Sequence, residues 1–124
     1  MAKKILIVED EKLITKSLAR LLDKKGYDTV IANTGEEAIQ KVASSDFDLI
    51  ISDIRMPEKD GIETIIEIRA LLKKENKPII PEILITGYAD EEKYKSAIDL
   101  KVAGYLYKPF DTEDLMEAIE KALK

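Results

Sequence analysis

No cysteine and no histidine occur among the 124 residues of this chain. The absence of cysteine excludes disulfide bonds, thiolate metal sites and cysteine nucleophiles. The absence of histidine excludes the Ser-His and Cys-His catalytic pairs and the usual zinc sites. The longest apolar runs have about four residues, whereas a membrane-spanning helix needs about 20, and no signal-peptide pattern follows Lys3-Lys4. We therefore expect a cytoplasmic protein that does not bind membranes.

The composition that remains is that of a folded domain. Hydrophobic residues make up 45% of the chain and charged residues 36%, so a packed core is expected and disorder is not. The length is that of one domain, to which we assign residues 1–124. The net charge of −5 argues against direct binding of nucleic acid, which requires a basic face.

Strand-like and helix-like segments alternate five times along the chain. Short apolar runs between polar residues predict the strands, and apolar residues at helical spacing predict the helices. Such alternation indicates an α/β fold whose parallel sheet is covered by helices on both faces. The predicted strands lie near residues 3–9, 27–32, 47–53, 81–87 and 103–107, and the predicted helices near residues 11–26, 34–45, 61–75, 91–101 and 112–124.

Local signals mark where several helices begin and end. Thr34 stands three residues before Glu37, which is the spacing of a capping box. Asp90 and Asp111 are expected to cap the last two helices, and Gly26 is expected to end the first. The predicted apolar face of the third helix consists of Ile62, Ile65, Ile66, Ile68 and Leu72.

The carboxyl ends of the predicted strands carry the candidate functional residues, and parallel α/β sheets bind their ligands at this edge. The segment "SDIRMPEKDG" runs from an apolar strand into an aspartate, and then into a turn-rich loop marked by Pro57 and Gly61. Acids, a hydroxyl and an ammonium group are therefore expected to meet at one edge of the sheet. These residues are Glu9, Asp10, Asp53, Thr86 and Lys108.

Three carboxylates at one edge repel one another unless a cation or a proton intervenes. Mg²⁺ suits such a site, because it binds one or two carboxylates together with water and phosphate oxygens. Asp53 by itself would be better explained as a turn cap. Beside a metal ion and Lys108, however, a carboxylate can attack phosphorus as a nucleophile while the two cations neutralise charge on the phosphoryl oxygens.

Four motifs of the chain resemble those of response-regulator receiver domains. They are "VED" after the first strand, "DIRMP" after the third, "ITG" at the fourth and "YLYKPF" at the fifth. The resemblance covers essentially the whole chain and implies a chemotaxis-regulator-like protein of two-component signalling or a phosphorelay. It also implies a doubly wound (βα)5, flavodoxin-like three-layer sandwich with a parallel sheet in the order 2-1-3-4-5.

The resemblance implies a role for each matching acidic residue. Asp53 would accept a phosphoryl group from a sensor histidine kinase or a histidine phosphotransfer protein. Asp10 would be the direct carboxylate ligand of Mg²⁺, with Glu9 acting through water. Asp53 and the backbone carbonyl of Arg55 would be further ligands. Glu9 stands where aspartate is more frequent in the family, and its extra methylene is expected to be tolerated.

The resemblance also implies a switch. Thr86 and Lys108 would each contact a phosphoryl oxygen, and the peptide bond before Pro109 would be cis. Tyr105 stands at the position of the family's switch aromatic and would turn inward once Thr86 moves toward the phosphate. Tyr107 shares its face of the strand and competes for this role. Taken singly, these residues would also be explained as a β-favoured threonine, a surface lysine and core aromatics.

Arg55 and Tyr88 flank the expected path of water to the phosphoryl group. We hypothesise that these large side chains slow hydrolysis and lengthen the life of the phosphorylated state. If Arg55→Ala and Tyr88→Ala left the rate of dephosphorylation unchanged, this hypothesis would be wrong.

The resemblance places two partner surfaces on the chain. The fourth helix, fifth strand and fifth helix, roughly residues 90–122, would contact a downstream protein target or output domain. The same helix4-strand5-helix5 surface is a candidate homodimer interface. The kinase or phosphotransfer protein would dock beside the first helix, near Leu13 and Ser17.

Three other functions fit parts of the pattern. A haloacid-dehalogenase-like phosphatase would need a second aspartate two residues after Asp53, where Arg55 stands. A flavodoxin-like cofactor-binding protein would need a phosphate-binding loop after the first strand, but "EDEKL" contains no glycine. A degenerate receiver, acting as a phosphorylation-independent interaction module, usually lacks one of the residues present here. We therefore expect no enzyme, but a phosphoacceptor domain that assists its own phosphorylation and dephosphorylation.

Overall fold

The computed structural model describes residues 2–87 and 89–124, in which five strands alternate with five helices. None of the helices in this part of the chain is long and apolar enough to cross a membrane. The strands are β1 Lys4–Val8, β2 Asp28–Ala32, β3 Leu49–Asp53, β4 Glu82–Thr86 and β5 Gly104–Tyr107. The helices are α1 Lys12–Lys24, α2 Gly35–Ser44, α3 Gly61–Lys74, α4 Glu91–Asp99 and α5 Thr112–Ala122.

The five strands form one parallel sheet in the order β2-β1-β3-β4-β5, which confirms the predicted topology. The chain passes from β1 to β2 in one direction and then returns to β3 on the other side of β1. The strand order therefore reverses between β1 and β3, where Val8 lies opposite Ser52. A crevice at the carboxyl ends of two such strands is the usual ligand site of an open α/β sheet.

Alternate residues of the central strands point to opposite faces of the sheet, because side chains on a strand have a period of two. On one face, Ile5, Ile7, Ile51 and Ile83 pack against α1 and α5. On the other face, Leu6, Val8 and Ile50 pack against α2 and α3. A third cluster, in which Ile54 and Leu84 meet Ile62, Ile65 and Ala97, lies under α3 and α4. The predicted three-layer sandwich is therefore confirmed.

Most of the predicted helix signals are confirmed. The Thr34 hydroxyl accepts a hydrogen bond from the Glu37 amide at 3.0 Å, and Asp90 caps α4 through its side chain. Gly26 follows α1 with φ of +92°, in the left-handed region that favours glycine. Asp111 occupies the N-cap position of α5, but its exposed side chain makes no capping hydrogen bond, so this detail was predicted wrongly. The first turn of α5 is held there by the backbone alone.

Ile66 was placed wrongly on the buried face of α3. Its side chain is 49% exposed, whereas Ile65, Ile68 and Leu72 are buried. The reason is geometric, because each step along a helix rotates the side chain by about 100°. Ile66 therefore turns away from the direction in which Ile65 points and faces solvent.

Candidate functional site

The sheet brings five predicted site residues to its carboxyl edge. Asp53 is the last residue of β3 and Thr86 the last of β4, while Glu9 and Asp10 follow β1 and Lys108 follows β5. Because β1 and β3 are neighbours, the acidic residues that follow or end them lie beside each other in the crevice between these strands.

The three acids form a compact oxygen cluster. One carboxylate oxygen each of Glu9, Asp10 and Asp53 lies within 4.8 Å of the others. Glu9 is 2% exposed and Asp53 8% exposed, so two of these groups are withdrawn from water. The Oε2 atom of Glu9 is buried without a hydrogen-bond partner in the described residues. A buried carboxylate oxygen without a donor fits a site that receives a cation.

Lys108 is the positive charge that faces this cluster. Its Nζ atom donates a hydrogen bond to Glu9 Oε1 at 3.1 Å and lies 3.4 Å from Asp53 Oδ1. Its backbone amide also donates to the carbonyl of Thr86 at 2.8 Å, which ties the loop after β5 to the end of β4. The peptide bond between Lys108 and Pro109 is cis, as predicted.

The ionisation of the cluster follows from its burial. Burial raises the pKa of Glu9 to about 8, with Asp53 contributing through a hydrogen bond and its charge. Burial also raises the pKa of Asp53, although hydrogen bonding to Glu9 and the charge of Lys108 oppose the rise. For Lys108, burial alone would lower the pKa, but its bonds to the two acids outweigh that effect and raise it. The Glu9–Asp53 pair therefore holds a proton when no metal ion neutralises it.

We expect the stability of the metal-free protein to fall as the pH rises from 4.5, the ordinary pKa of Glu9, to about 8, its pKa in the fold. The folded state binds this proton more tightly than the unfolded state, so the stabilisation is complete at low pH and lost as the folded group ionises. Since one pKa unit corresponds to about 1.4 kcal/mol, we expect at least that loss between about pH 6 and about pH 8.5. Urea unfolding in EDTA measures it.

The matched control for this pH dependence is Glu9→Gln, which keeps the size of the side chain but cannot ionise. In this variant, most of the decline in stability with rising pH should be absent. A wild-type stability that stayed flat or rose over the same pH range would show that Glu9 is ionised throughout.

Gly61 fixes the backbone of Asp53 through close contact. A Cβ atom at Gly61 would lie 2.4 Å from the carbonyl oxygen of Asp53 and 3.0 Å from the Cα atom of Ile54. The Gly61 amide also donates to the Ile54 carbonyl at 2.8 Å. Any side chain larger than a hydrogen atom is therefore excluded at Gly61, the first residue of α3. This close contact is the physical reason for a glycine at the position predicted to be structural.

We expect Gly61→Ala to destabilise the fold by about 1–3 kcal/mol, the usual cost of overpacking against groups that cannot move aside. The displaced Asp53 backbone should also disturb the predicted Mg²⁺ site. Thermal unfolding and an Mg²⁺ titration would measure the two effects. Gly87→Ala is a suitable control for the unfolding measurement, because a Cβ atom at Gly87 meets only the Cδ atom of Lys108, at an ordinary contact distance of 3.9 Å. Equal stability of Gly61→Ala and wild type would mean that the loop moves aside freely.

The loop after β3 lines a cavity of about 420 Å³ beside the acidic cluster. Arg55 and Pro57 line this cavity together with Thr86. The predicted water-gating role of Arg55 and its predicted carbonyl contact with a metal both stay predictions. Tyr88, the second predicted water gate, lies outside the described residues.

Tyr105 is half-buried between two other tyrosines. Its ring meets the rings of Tyr94 and Tyr107 edge-on, with centroids 5.1 and 5.3 Å away. Its hydroxyl is buried and has no hydrogen-bond partner in the part of the chain that the structure describes. Tyr107 is 46% exposed, so Tyr105 is the more inward of the two. The switching role of Tyr105 remains a prediction.

Two ion pairs around α3 were not predicted. Arg69 binds the buried carboxylate of Glu82 with two hydrogen bonds of 2.8 and 2.7 Å. Lys93 donates to Asp60 at 2.5 Å and so joins the first turns of α3 and α4. The only signal in the sequence was Glu82, an acid at the start of the otherwise apolar strand β4. This signal does not indicate which residue pairs with it.

Comparison with known proteins shows the family to which the chain belongs. The family model of the response regulator receiver domain matches residues 5–120. Over 119 residues the chain is 39% identical to the transcriptional regulatory protein ZraR of Escherichia coli (strain K12), covering 96% of this chain. The chain spans 26% of the length of ZraR.

Solved structures agree with this match. A response regulator receiver domain protein (CheY-like) from Methanospirillum hungatei JF-1 has a TM-score of 0.89 and 31% identity, and the match covers 99% of this chain and 94% of that chain. The chemotaxis protein CheY4 of Vibrio cholerae has a TM-score of 0.86 and 29% identity, covering 99% of this chain and 100% of that one. With its sheet order and its acidic crevice, this chain belongs to the response regulator receiver domain family of two-component signalling.

Proposed function

We propose that this receiver domain is a phosphorylation-activated switch in which Asp53 accepts a phosphoryl group from a sensor histidine kinase or a histidine phosphotransfer protein. One observation carries the proposal. Asp53 lies at the strand-order reversal, with Glu9 and Asp10 within 4.8 Å and the Lys108 ammonium 3.4 Å away. A carboxylate so placed has both a site for a cation and a fixed positive charge beside it.

Mg²⁺ is the cofactor that this site fits. Glu9, Asp10 and Asp53 supply the hard oxygen atoms that the ion prefers, and the carbonyl of Arg55 is a further candidate ligand. When bound, Mg²⁺ would neutralise charge on the phosphoryl oxygens. It would also offset the repulsion between the acids.

In the proposed transfer, a carboxylate oxygen of Asp53 forms a bond to phosphorus while the bond between phosphorus and the donor breaks. The donor leaves with the electron pair of that bond. Lys108 would then exchange its contacts with the acids for a phosphoryl oxygen, and the Thr86 hydroxyl would donate to another. The chain ends as an acyl phosphate, so we propose a phosphoacceptor rather than an enzyme that turns over substrate.

The output of the switch is proposed to lie on α4, β5 and α5. Exposed Tyr94, Ile98 and Tyr107 give this face an apolar character that a protein partner, an output domain or a second copy of the chain would cover. Separately, Leu13 of α1 is 81% exposed near Ser17, at the proposed docking site of the kinase. We propose that these contacts are made in the cytoplasm.

Incubation with Mg²⁺ and a small acyl-phosphate donor tests the proposal. We expect intact mass spectrometry to show a single phosphoryl adduct that hydroxylamine removes and that EDTA prevents. If Mg²⁺ binds but no adduct forms, the chain accepts a phosphoryl group only from its own kinase. No adduct and no Mg²⁺ binding would favour the alternative of a degenerate receiver that acts as a phosphorylation-independent interaction module.

A further inference from the structure

Helix α4 is tied to neighbouring elements by one cation at each end. At its carboxyl end, Nη1 of Arg69 in α3 donates to the carbonyl of Leu100 at 2.6 Å. The same guanidinium holds Glu82 of β4 with two further hydrogen bonds. At the amino end, Nζ of Lys93 donates to Oδ2 of Asp60 at 2.5 Å.

The two attachments differ in strength. Glu82 is 2% exposed and accepts two parallel, charge-assisted hydrogen bonds from Arg69. Such an arrangement is costly to break. The Lys93 side chain is 37% exposed and makes a single contact through a flexible stem. The guanidinium that bonds to the carboxyl end of α4 is therefore itself firmly held, whereas the Lys93 contact at the amino end is more easily released.

Asp60 is held in place relative to the phosphoacceptor. Its Oδ1 atom accepts a hydrogen bond from the Glu63 amide at 2.9 Å, and Glu63 Oε1 accepts from the Asp60 amide at 3.1 Å. The next residue, Gly61, packs directly on the backbone of Asp53. Asp60 therefore stays with β3 and α3 when other parts of the edge move.

Lys93, by contrast, is connected to Thr86. The Lys93 amide donates to the side chain of Asp90 at 3.1 Å, and Asp90 stands only four residues after Thr86 in the chain. Thr86, Asp60 and Lys93 all line the cavity of about 420 Å³ beside the crevice. A shift of Thr86 toward a phosphoryl group on Asp53 would therefore displace the start of α4, which carries Lys93, relative to Asp60.

We propose that the Lys93–Asp60 ion pair is a latch that favours the arrangement in which Lys108 pairs with Glu9 and Asp53, and that phosphorylation must open it. This inference rests on the proposed function and adds a regulatory contact to it. A ligand shifts such an equilibrium only by its different affinities for the two arrangements. Removing the latch should therefore make a phosphoryl-like ligand bind more tightly without any change at the acceptor.

The test uses beryllium fluoride with Mg²⁺ as a phosphoryl-like ligand of Asp53, titrated into the full chain and followed by amide NMR. Exposed ion pairs change an equilibrium by up to about fivefold, so Lys93→Met should lower the apparent Kd about two- to fivefold. Lys95→Met is the matched control, because Lys95 is exposed on the same helix and makes no ion pair within residues 2–87 and 89–124. It should bind as wild type does, and so should Lys93→Arg.

A second variant separates the latch from the helix cap. Asp60→Asn loses the charge but keeps an oxygen that can cap α3. It should reproduce the effect of Lys93→Met, and the double variant should bind no more tightly than either single one. The latch would be wrong if the effects of the two variants were additive. It would also be wrong if both single variants bound the ligand unchanged or more weakly. Neither outcome would contradict the acceptor role of Asp53. A wild type that neither binds beryllium fluoride nor takes up a phosphoryl group would overturn both.

Discussion

Asp53→Asn is expected to abolish the phosphoryl adduct completely. The asparagine amide keeps the size of the side chain but offers no carboxylate oxygen to attack phosphorus. Glu9 lies close by, but its side chain is buried and its Oε1 atom accepts a hydrogen bond from Lys108, so it is not presented to a phosphoryl donor. Intact mass spectrometry after incubation with Mg²⁺ and an acyl-phosphate donor measures the loss.

The fold of Asp53→Asn can be checked independently. Removing one of two buried acids relieves repulsion, so the metal-free variant should unfold at a temperature no lower than that of wild type. Asp99→Asn, at the exposed carboxyl end of α4, controls for the loss of one negative charge and should be labelled normally. A phosphoryl adduct that persisted on Asp53→Asn would show that another residue is the acceptor.

Arg69→Met is expected to cost the largest amount of stability, about 3–5 kcal/mol, because it leaves the Glu82 carboxylate buried without its counter-charge. The variant also loses the bond to the Leu100 carbonyl, which holds the end of α4. For a domain of this size the melting temperature should fall by more than about 10 °C. Thermal and urea unfolding would measure the change.

Two further variants separate the buried charge from the loss of packing. Arg20→Met removes an exposed arginine of α1 and should leave stability nearly unchanged. The double variant Arg69→Met with Glu82→Leu should recover most of the loss, since an apolar pair can replace a buried ion pair without leaving a charge. If Arg69→Met cost less than about 1 kcal/mol, the pair would behave like an ordinary surface ion pair.

The arrangement of strands and helices was predictable because it depends on local patterns. Each strand is a short apolar run and each helix has an apolar stripe, so the alternation alone indicates a parallel sheet with two helical layers. The prediction failed where the pattern was ambiguous. Ile66 is apolar and adjacent to a buried residue, yet only the direction of the helix in the fold shows that it faces solvent.

The site was predictable only as a set of residues at strand ends. Because parallel strands end at the same edge, Glu9, Asp53 and Lys108 had to lie near one another once the sheet was assumed. The strand order came from the resemblance to the receiver family rather than from the residues. The contact between Lys108 and Glu9 spans 99 positions in the chain, and nothing local in the sequence specifies its distance.

The sequence by itself therefore determined the fold class, the acidic edge and the absence of thiol or imidazole chemistry, since these depend on residue types and short-range periodicity. Only the tertiary structure decided which charges are buried and which cation each acid meets. Arg69 pairs with Glu82 across 13 positions and Lys93 with Asp60 across 33, through elements that fold from separate segments. Burial and ion pairing are properties of packed surfaces, and these surfaces exist only after the helices have docked on the sheet.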